Sequence, residues 1–365
     1  MLTDTEADRE RARQIILRHG WNATAYQLLN PGIRYWFSAT PEALVGYVTK
    51  VGVRVVAGAP VAAAGDLAEV AHAFEQDAAG VSERVCYFCA EARLEALYRH
   101  REGYARLLLG AQPVWDPRAW DAMVRSQRSL RAQLNRARNK GVAVSEWPNA
   151  KAHQHPELEA LLTAWLGSKA LPSLHFLVEP RTLSQVRDRR VFVAQQHGQP
   201  VGFLLASPVP TRHGWLVEQI VRQPRAPNGT SELLVDAAAR TVAAEGSSYL
   251  TLGLVPLAQS LSARPKNSPL WLRWTLRLVR VHGQRFYNFA GLENFKSKFQ
   301  PHHWDAVYAI SNERAFSMRC LYAIAAAFSD GSPVGLVARA VGKAAKQELA
   351  WARERAERQR EAAGR

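Results

Sequence analysis

Apolar and polar positions alternate in short runs along this chain, and longer amphipathic stretches separate the runs. The pattern predicts an opening helix over 5–19, then strands over 35–38, 44–50, 53–57 and 84–90. An alanine-rich helix over 65–79, with Asp66 near its start, falls between the last two strands. Strands separated by helices predict a layered α/β domain. An apolar run at 107–113 leads into a helix over 126–140, where Leu130 and Leu134 mark the buried stripe. Arg131 and Arg138, seven residues apart, share a face of it, and Gly141 stops it.

The second half begins near Pro156 with a helix to Leu166. Residues 190–196, a turn at Gly198 and residues 201–208 read as a hairpin, followed by a third strand over 215–222. A turn containing Pro227, Asn228 and Gly229 precedes a helix over 231–245. A fourth strand over 249–254 contains Gly253, where backbone can approach a ligand closely. This order resembles a GNAT-like acyltransferase core, an analogy that predicts fold alone. In acetyl-CoA enzymes of that fold a glycine-rich turn before the helix binds pyrophosphate through its amides. Here Pro224 and Pro227 remove two amides and Gly229 is the one glycine, so the expected acyl donor is something other than acetyl-CoA. The expected organisation is an N-terminal domain over 1–150, a catalytic domain over 151–330 and a basic tail over 331–365.

Composition adds a partner. The 365 residues are 47% hydrophobic with 11 tryptophans, which excludes a disordered chain, and the net charge of +15 points to an anionic partner, nucleic acid or membrane surface or both. No apolar run reaches the roughly 18 to 20 residues that cross a bilayer. The charged N-terminus is unlike a signal sequence, so a cytoplasmic chain is expected. Cys86 and Cys89 form a C-x-x-C inside an apolar strand, and Cys320 is the only other cysteine; they read as packing rather than a zinc site, and no metal is expected.

Charge is also patterned locally. The helix over 126–140 carries Arg128, Arg131, Arg136, Arg138 and Lys140, either as a solvated face or as phosphate contacts. Residues 269–280, if helical, set Arg273, Arg277 and Arg280 opposite Trp271, Trp274 and Leu278. That pattern suits a helix lying in a membrane interface, or a core helix with a charged outer face. The tail from Leu336 carries eight Lys or Arg against four Glu, suited to lipid headgroups, RNA or solubility.

Residues 286–304 are the most distinctive stretch, because Lys296 and Lys298 stand among Phe286, Tyr287, Phe289, Phe295, Phe299 and Trp304. The lysine stems can pack over the rings with their heads in water, or a cation held against an apolar wall can serve a polyanion or a developing oxyanion.

The run from Phe289 to Pro301, with Trp304 following, resembles the signature of the cytoplasmic domain of the multiple peptide resistance factor family, the aminoacyl-phosphatidylglycerol synthases. Residues 129–141, 165–169, 218–222, Asn228 with Gly229, and 252–254 fall in the expected order, so the resemblance spans roughly 20 to 310. It implies tandem GNAT-like domains related to the Fem-type peptidyltransferases. The implied reaction moves an aminoacyl group from a charged tRNA to a lipid headgroup hydroxyl at an anionic membrane surface. This sequence lacks the multi-helix membrane region of full-length members, so lipid flipping is not expected of it. An aminoacyl ester is already activated, so no cofactor, ATP or metal is expected.

By the same resemblance Lys298 binds the tRNA 3′ end or stabilises the oxyanion, with Lys296 beside it; on a strand the two would share a face. Glu218 and Arg222, of equal parity on the third strand, would share a face and grip the aminoacyl group, or else form a structural ion pair. Asn228 is a helix N-cap or a substrate contact. Asp236, Glu232 and Glu293 are further acid candidates, and Gly253 and Tyr287 complete the substrate-binding set. His302 and His303 are adjacent, which on a strand points them apart. Two other readings stand beside this one: an acyl-thioester-dependent N-acyltransferase of a lipid amine, and a non-catalytic RNA- or membrane-binding relative.

Overall fold

Thr5 opens the first helix with a capping box: its side chain accepts from the Asp8 amide at 3.1 Å while Asp8 reaches back to the Thr5 amide. The structure, a computed structural model, describes residues 5–38, 40–168, 175–256 and 289–329. Trp271, Arg273, Trp274, Arg277, Tyr287 and the tail over 331–365 lie outside the described residues.

Twelve strands make one sheet among the described residues. They are β1 Arg34–Ser38, β2 Ala43–Lys50, β3 Val53–Ala57, β4 Arg84–Ala90, β5 Ala105–Trp115 and β6 Val142–Trp147 in the first stretch. The rest are β7 Arg190–Gln196, β8 Gln199–Val209, β9 Gly214–Arg222, β10 Tyr249–Thr251, β11 Val255–Pro256 and β12 His303–Ser311. Their order is β1-β2-β3-β4-β12-β5-β10-β9-β8-β7-β6, with β11 paired to β5. The helices are α1 Glu6–His19, α2 Leu67–Gly80, α3 Ala92–Tyr98, α4 Trp120–Ser126 and α5 Arg128–Asn139. They continue as α6 Asn149–Ala152, α7 Pro156–Gly167, α8 Thr230–Ala244, α9 Phe289–Ser297 and α10 Met318–Phe328. None of the described helices is long and apolar enough to cross a membrane.

Among the described residues each half carries one parallel strand pair with a helix crossing between its members. In the first, β3 pairs with β4 across α2; in the second, β9 pairs with β10 across α8. These are the strand, turn, helix, strand units expected from the sequence, and the fold is the tandem GNAT-like α/β arrangement. The halves join in mid-sheet, where β12 pairs antiparallel with both β4 and β5.

The end of the sheet from β10 to β6 is buried on both faces. Leu158, Leu161 and Leu162 of α7 pack with Val191, Val193, Phe203, Leu205 and Val221 on one face. On the other, Trp120 of α4, Leu130 and Leu134 of α5 and Leu234 and Val235 of α8 pack with Phe192, Leu204 and Val217. Three polar contacts lock the helices of this second face. The buried carboxylate of Asp236 accepts from Trp120 Nε1 at 3.0 Å, Arg138 Nη2 at 2.9 Å and Arg240 Nε at 2.9 Å. Asp236 was a substrate-binding candidate; the structure makes it the buried acceptor that ties α4 and α5 to α8. Replacing Asp236 by Ala removes all three contacts and is expected to destabilise the fold by about 3 kcal/mol, read as a lower denaturant midpoint.

Candidate active site

A tight approach of two helices shapes the site. Gly229, at φ 97°, caps the N-terminus of α8, and a Cβ there would collide with the Gln133 carbonyl of α5. The N-cap position belongs to Gly229 and not to Asn228. Thr230 Oγ1 donates to the Pro227 carbonyl at 2.7 Å and Arg222 Nη1 to the Ala226 carbonyl at 3.2 Å, which fixes the proline-containing turn.

Between this turn, α5 and α9 lies a groove of about 480 Å3, lined by Gln133, Arg136, Arg222, Asn228, Gly229, Ser231, Glu232, Gly291, Phe295 and Lys298. The first half has at its corresponding turn a cavity of about 20 Å3 beside Trp21, Ala59 and Arg93, room for about one water. The groove gathers the candidates Arg136, Arg222, Asn228 and Lys298 from three distant parts of the sequence. The first turn of α8 opens on it, and amides there have no partner within the helix, so the wall is electropositive beyond its side chains.

The two lysines of the aromatic stretch have opposite fates. They lie at the end of helix α9, not on a strand, so they share no face. Phe299 anchors the motif: its ring stacks on Trp120 at 5.6 Å, and its carbonyl accepts from Trp115 Nε1 at 2.7 Å. Lys298 projects into the groove with 43% of its side chain exposed, 3.1 Å from Glu232 Oε1 and 5.8 Å from the centre of the Phe295 ring. Lys296, 4% exposed, donates instead to the carbonyls of Leu252 at 2.6 Å, Gly253 at 2.8 Å and Leu254 at 3.2 Å. Its head is spent on backbone carbonyls, so it does not stand beside Lys298 in the groove. Gly253, at φ 72°, sits in this turn where the chain leaves β10.

Glu218 and Arg222 also part. A bulge in β9 pairs Gln219 with Leu205 but Val217 with Ala206, leaving Glu218 as the extra residue. Parity therefore breaks between Glu218 and Arg222. Arg222 faces the groove, whereas Glu218 meets Arg189 at 3.1 and 3.4 Å in a buried pair stacked beside Tyr26. The ion-pair reading of Glu218 holds, with Arg189 and not Arg222 as its partner.

Of the basic helix, Arg128, Arg136, Arg138 and Lys140 are exposed. Arg131 Nη1 donates to the Arg125 and Val124 carbonyls, and Arg138 is bound to Asp236, so these two help to hold the helix. Glu293 lies on α9, half-buried. Cys86 and Cys89 are buried free thiols of β4. Sequence reasoning missed Gln133 and Ser231; Gln133 stands three residues before Arg136, the spacing that puts two helical side chains side by side.

The sequence profile of the C-terminal region of phosphatidylglycerol lysyltransferase matches residues 13–311. The chain belongs to that family. Membership makes it an aminoacyltransferase of the phosphatidylglycerol lysyltransferase type. Solved structures share the fold. The C-terminal domain of a putative lysylphosphatidylglycerol synthetase from Agrobacterium fabrum is 22% identical, with a TM-score of 0.75 over 89% of this chain and 98% of that one. L-PGS from Bacillus licheniformis is 20% identical, with a TM-score of 0.72 over 93% of this chain and 98% of that one. A conserved Bacteroides thetaiotaomicron protein of unknown function is 14% identical, with a TM-score of 0.58 over 84% of this chain and 97% of that one. Among curated proteins none matches this chain.

Burial lowers the Lys296 pKa from 10.5 to about 7. Between those values the unfolded chain holds a proton that the folded chain has released, so stability rises with pH across that window, by up to about 1.4 kcal/mol per pH unit. The Lys296→Met variant is expected to lose this slope, measured as the difference between its unfolding free energy and that of the parent from pH 7 to 10.

Proposed function

We propose that this chain moves an aminoacyl group from a charged tRNA to the headgroup hydroxyl of phosphatidylglycerol, as a peripheral protein at the cytoplasmic face of the membrane. The observation that carries this reading is the convergence of Arg136, Arg222, Lys298 and the first turn of α8 on one groove. A phosphodiester of the tRNA 3′ end suits Arg136, Arg222 and the helix terminus, because guanidinium forks and helix N-termini both bind phosphate oxygens. Arg128 at the start of α5 and Lys140 just after its end, both exposed, extend the positive surface toward the acceptor stem. The net charge of +15 supports a second anionic surface, for which Trp271, Arg273, Trp274 and Arg277 remain the membrane-contact candidates.

The chemistry needs alignment, proton transfer and charge stabilisation. The acceptor hydroxyl oxygen attacks the ester carbonyl carbon and forms a tetrahedral oxyanion. Its collapse breaks the carbon–oxygen bond to the terminal ribose, and the proton from the acceptor hydroxyl ends on that ribose oxygen. The Lys298 ammonium stabilises the oxyanion, the contribution for which fixed positive charge is most effective. Glu218, held by Arg189 on the opposite face, serves the sheet and not the attacking hydroxyl.

Lipid extracts of cells with and without this protein, compared by mass spectrometry, are expected to differ by amine-bearing phosphatidylglycerol. Purified Lys298→Ala is expected to lose transfer by about a hundredfold or more while keeping the parent's melting temperature. Parent-like transfer by that variant would remove Lys298 from the mechanism. Binding of tRNA should weaken with salt, and Arg128→Ala should lower the slope of log affinity against log salt by about one.

A further inference from the structure

Among the described residues that line the groove Glu232 is the one carboxylate, and it stands beside three cations. It occupies the first turn of α8 with a nearly buried side chain, 10% exposed, and it holds Lys298 Nζ at 3.1 Å. A carboxylate inside an anion-binding groove opposes ligand binding by like-charge repulsion, so its presence calls for a compensating role. Lys298 explains that role. The lysine follows the last turn of α9, 43% exposed on a flexible four-carbon stem, and its other contact in the groove is the face of Phe295. Without a fixed partner its ammonium would sample many positions; with Glu232 it has one.

We propose that Glu232 is the positioning residue for Lys298, giving up some donor affinity to fix the ammonium where the oxyanion forms. This rests on the catalytic role of Lys298 proposed above. Its signature is a split between binding and turnover. Removing the Glu232 charge raises the net positive charge of the groove and frees the lysine, so an anionic donor binds more tightly while the chemical step slows. A residue that merely stabilised α8 would not move the two constants in opposite senses.

The experiment measures steady-state transfer from aminoacyl-tRNA to phosphatidylglycerol vesicles at low salt. Glu232→Gln, nearly isosteric, is expected to lower KM for the tRNA about threefold and kcat about tenfold. Glu232→Asp keeps the charge but withdraws the carboxylate by one methylene. It is expected to lower kcat with KM unchanged, and it carries the test should the glutamine variant fail to fold. The double variant Glu232→Gln with Lys298→Ala should have the same kcat as Lys298→Ala alone, because the two side chains act as a unit. An unchanged kcat in Glu232→Gln or in Glu232→Asp, or additive losses in the double variant, overturns the proposal while Lys298 keeps its role. Full activity in Lys298→Ala overturns both.

Discussion

The carboxylate of Asp236 accepts from Trp120, Arg138 and Arg240 in the apolar layer between α4, α5, α8 and the sheet. Three donors from three helices converge on a side chain that is almost wholly buried. A lone carboxylate there would be costly, and so would any rearrangement that deprived it of its donors. The position of α5 follows from this. Its backbone is held so close to α8 that only a glycine fits at position 229, and Gln133 and Arg136 are thereby aimed over the first turn of α8. The groove is therefore a consequence of helix packing fixed at a point away from the groove itself.

Much of this architecture was legible in the sequence. The strand, turn, helix, strand units of both halves show in the alternation of apolar runs, because local periodicity reports which face of an element is buried. The basic groove residues Arg136, Arg222 and Lys298 were also visible as chemistry, although not as one site. What could not be read depends on long-range contacts. The bulge that separates Glu218 from Arg222 is a matter of pairing between β8 and β9, and parity counting assumes a strand without one. The helix at 289–297 was hidden by its aromatics, a composition that favours strands when context is unknown. Asp236 looked like an acid for substrate because a sequence does not show that two arginines and a tryptophan will surround it.

The distribution of charge in the groove bears on which donor it takes. A CoA-type pyrophosphate is bound mainly by consecutive backbone amides, and the turn at 223–229 gives up two of these to Pro224 and Pro227. Side-chain cations from α5, β9 and the end of α9 stand there instead. Cations spread over separate elements are suited to a larger polyanion that crosses all of them, whereas a compact amide cradle suits one small ligand. The exposed Arg128 and Lys140, at the two ends of the helix that carries Arg136, continue the charge past the groove. That extension fits a macromolecular donor better than a small one.

The parting of the sheet and the delivery of Lys298 are physically one device. β9 and β10 pair through Leu216 and Thr251, after which the chain turns away through Gly253 and resumes pairing with β5 at Val255. A buried turn of this kind strands three successive carbonyls, each of which would cost free energy if left without a donor. Lys296 supplies that donor to all three. In its protonated form the lysine head has three protons on one atom, a geometry a planar guanidinium does not reproduce, so a lysine and not an arginine suits the position. Because Lys298 follows two residues later, the contact that permits the strands to part also sets where the second ammonium enters the groove. The width of the parting and the place of Lys298 are thus coupled through α9, and a change that altered one would displace the other.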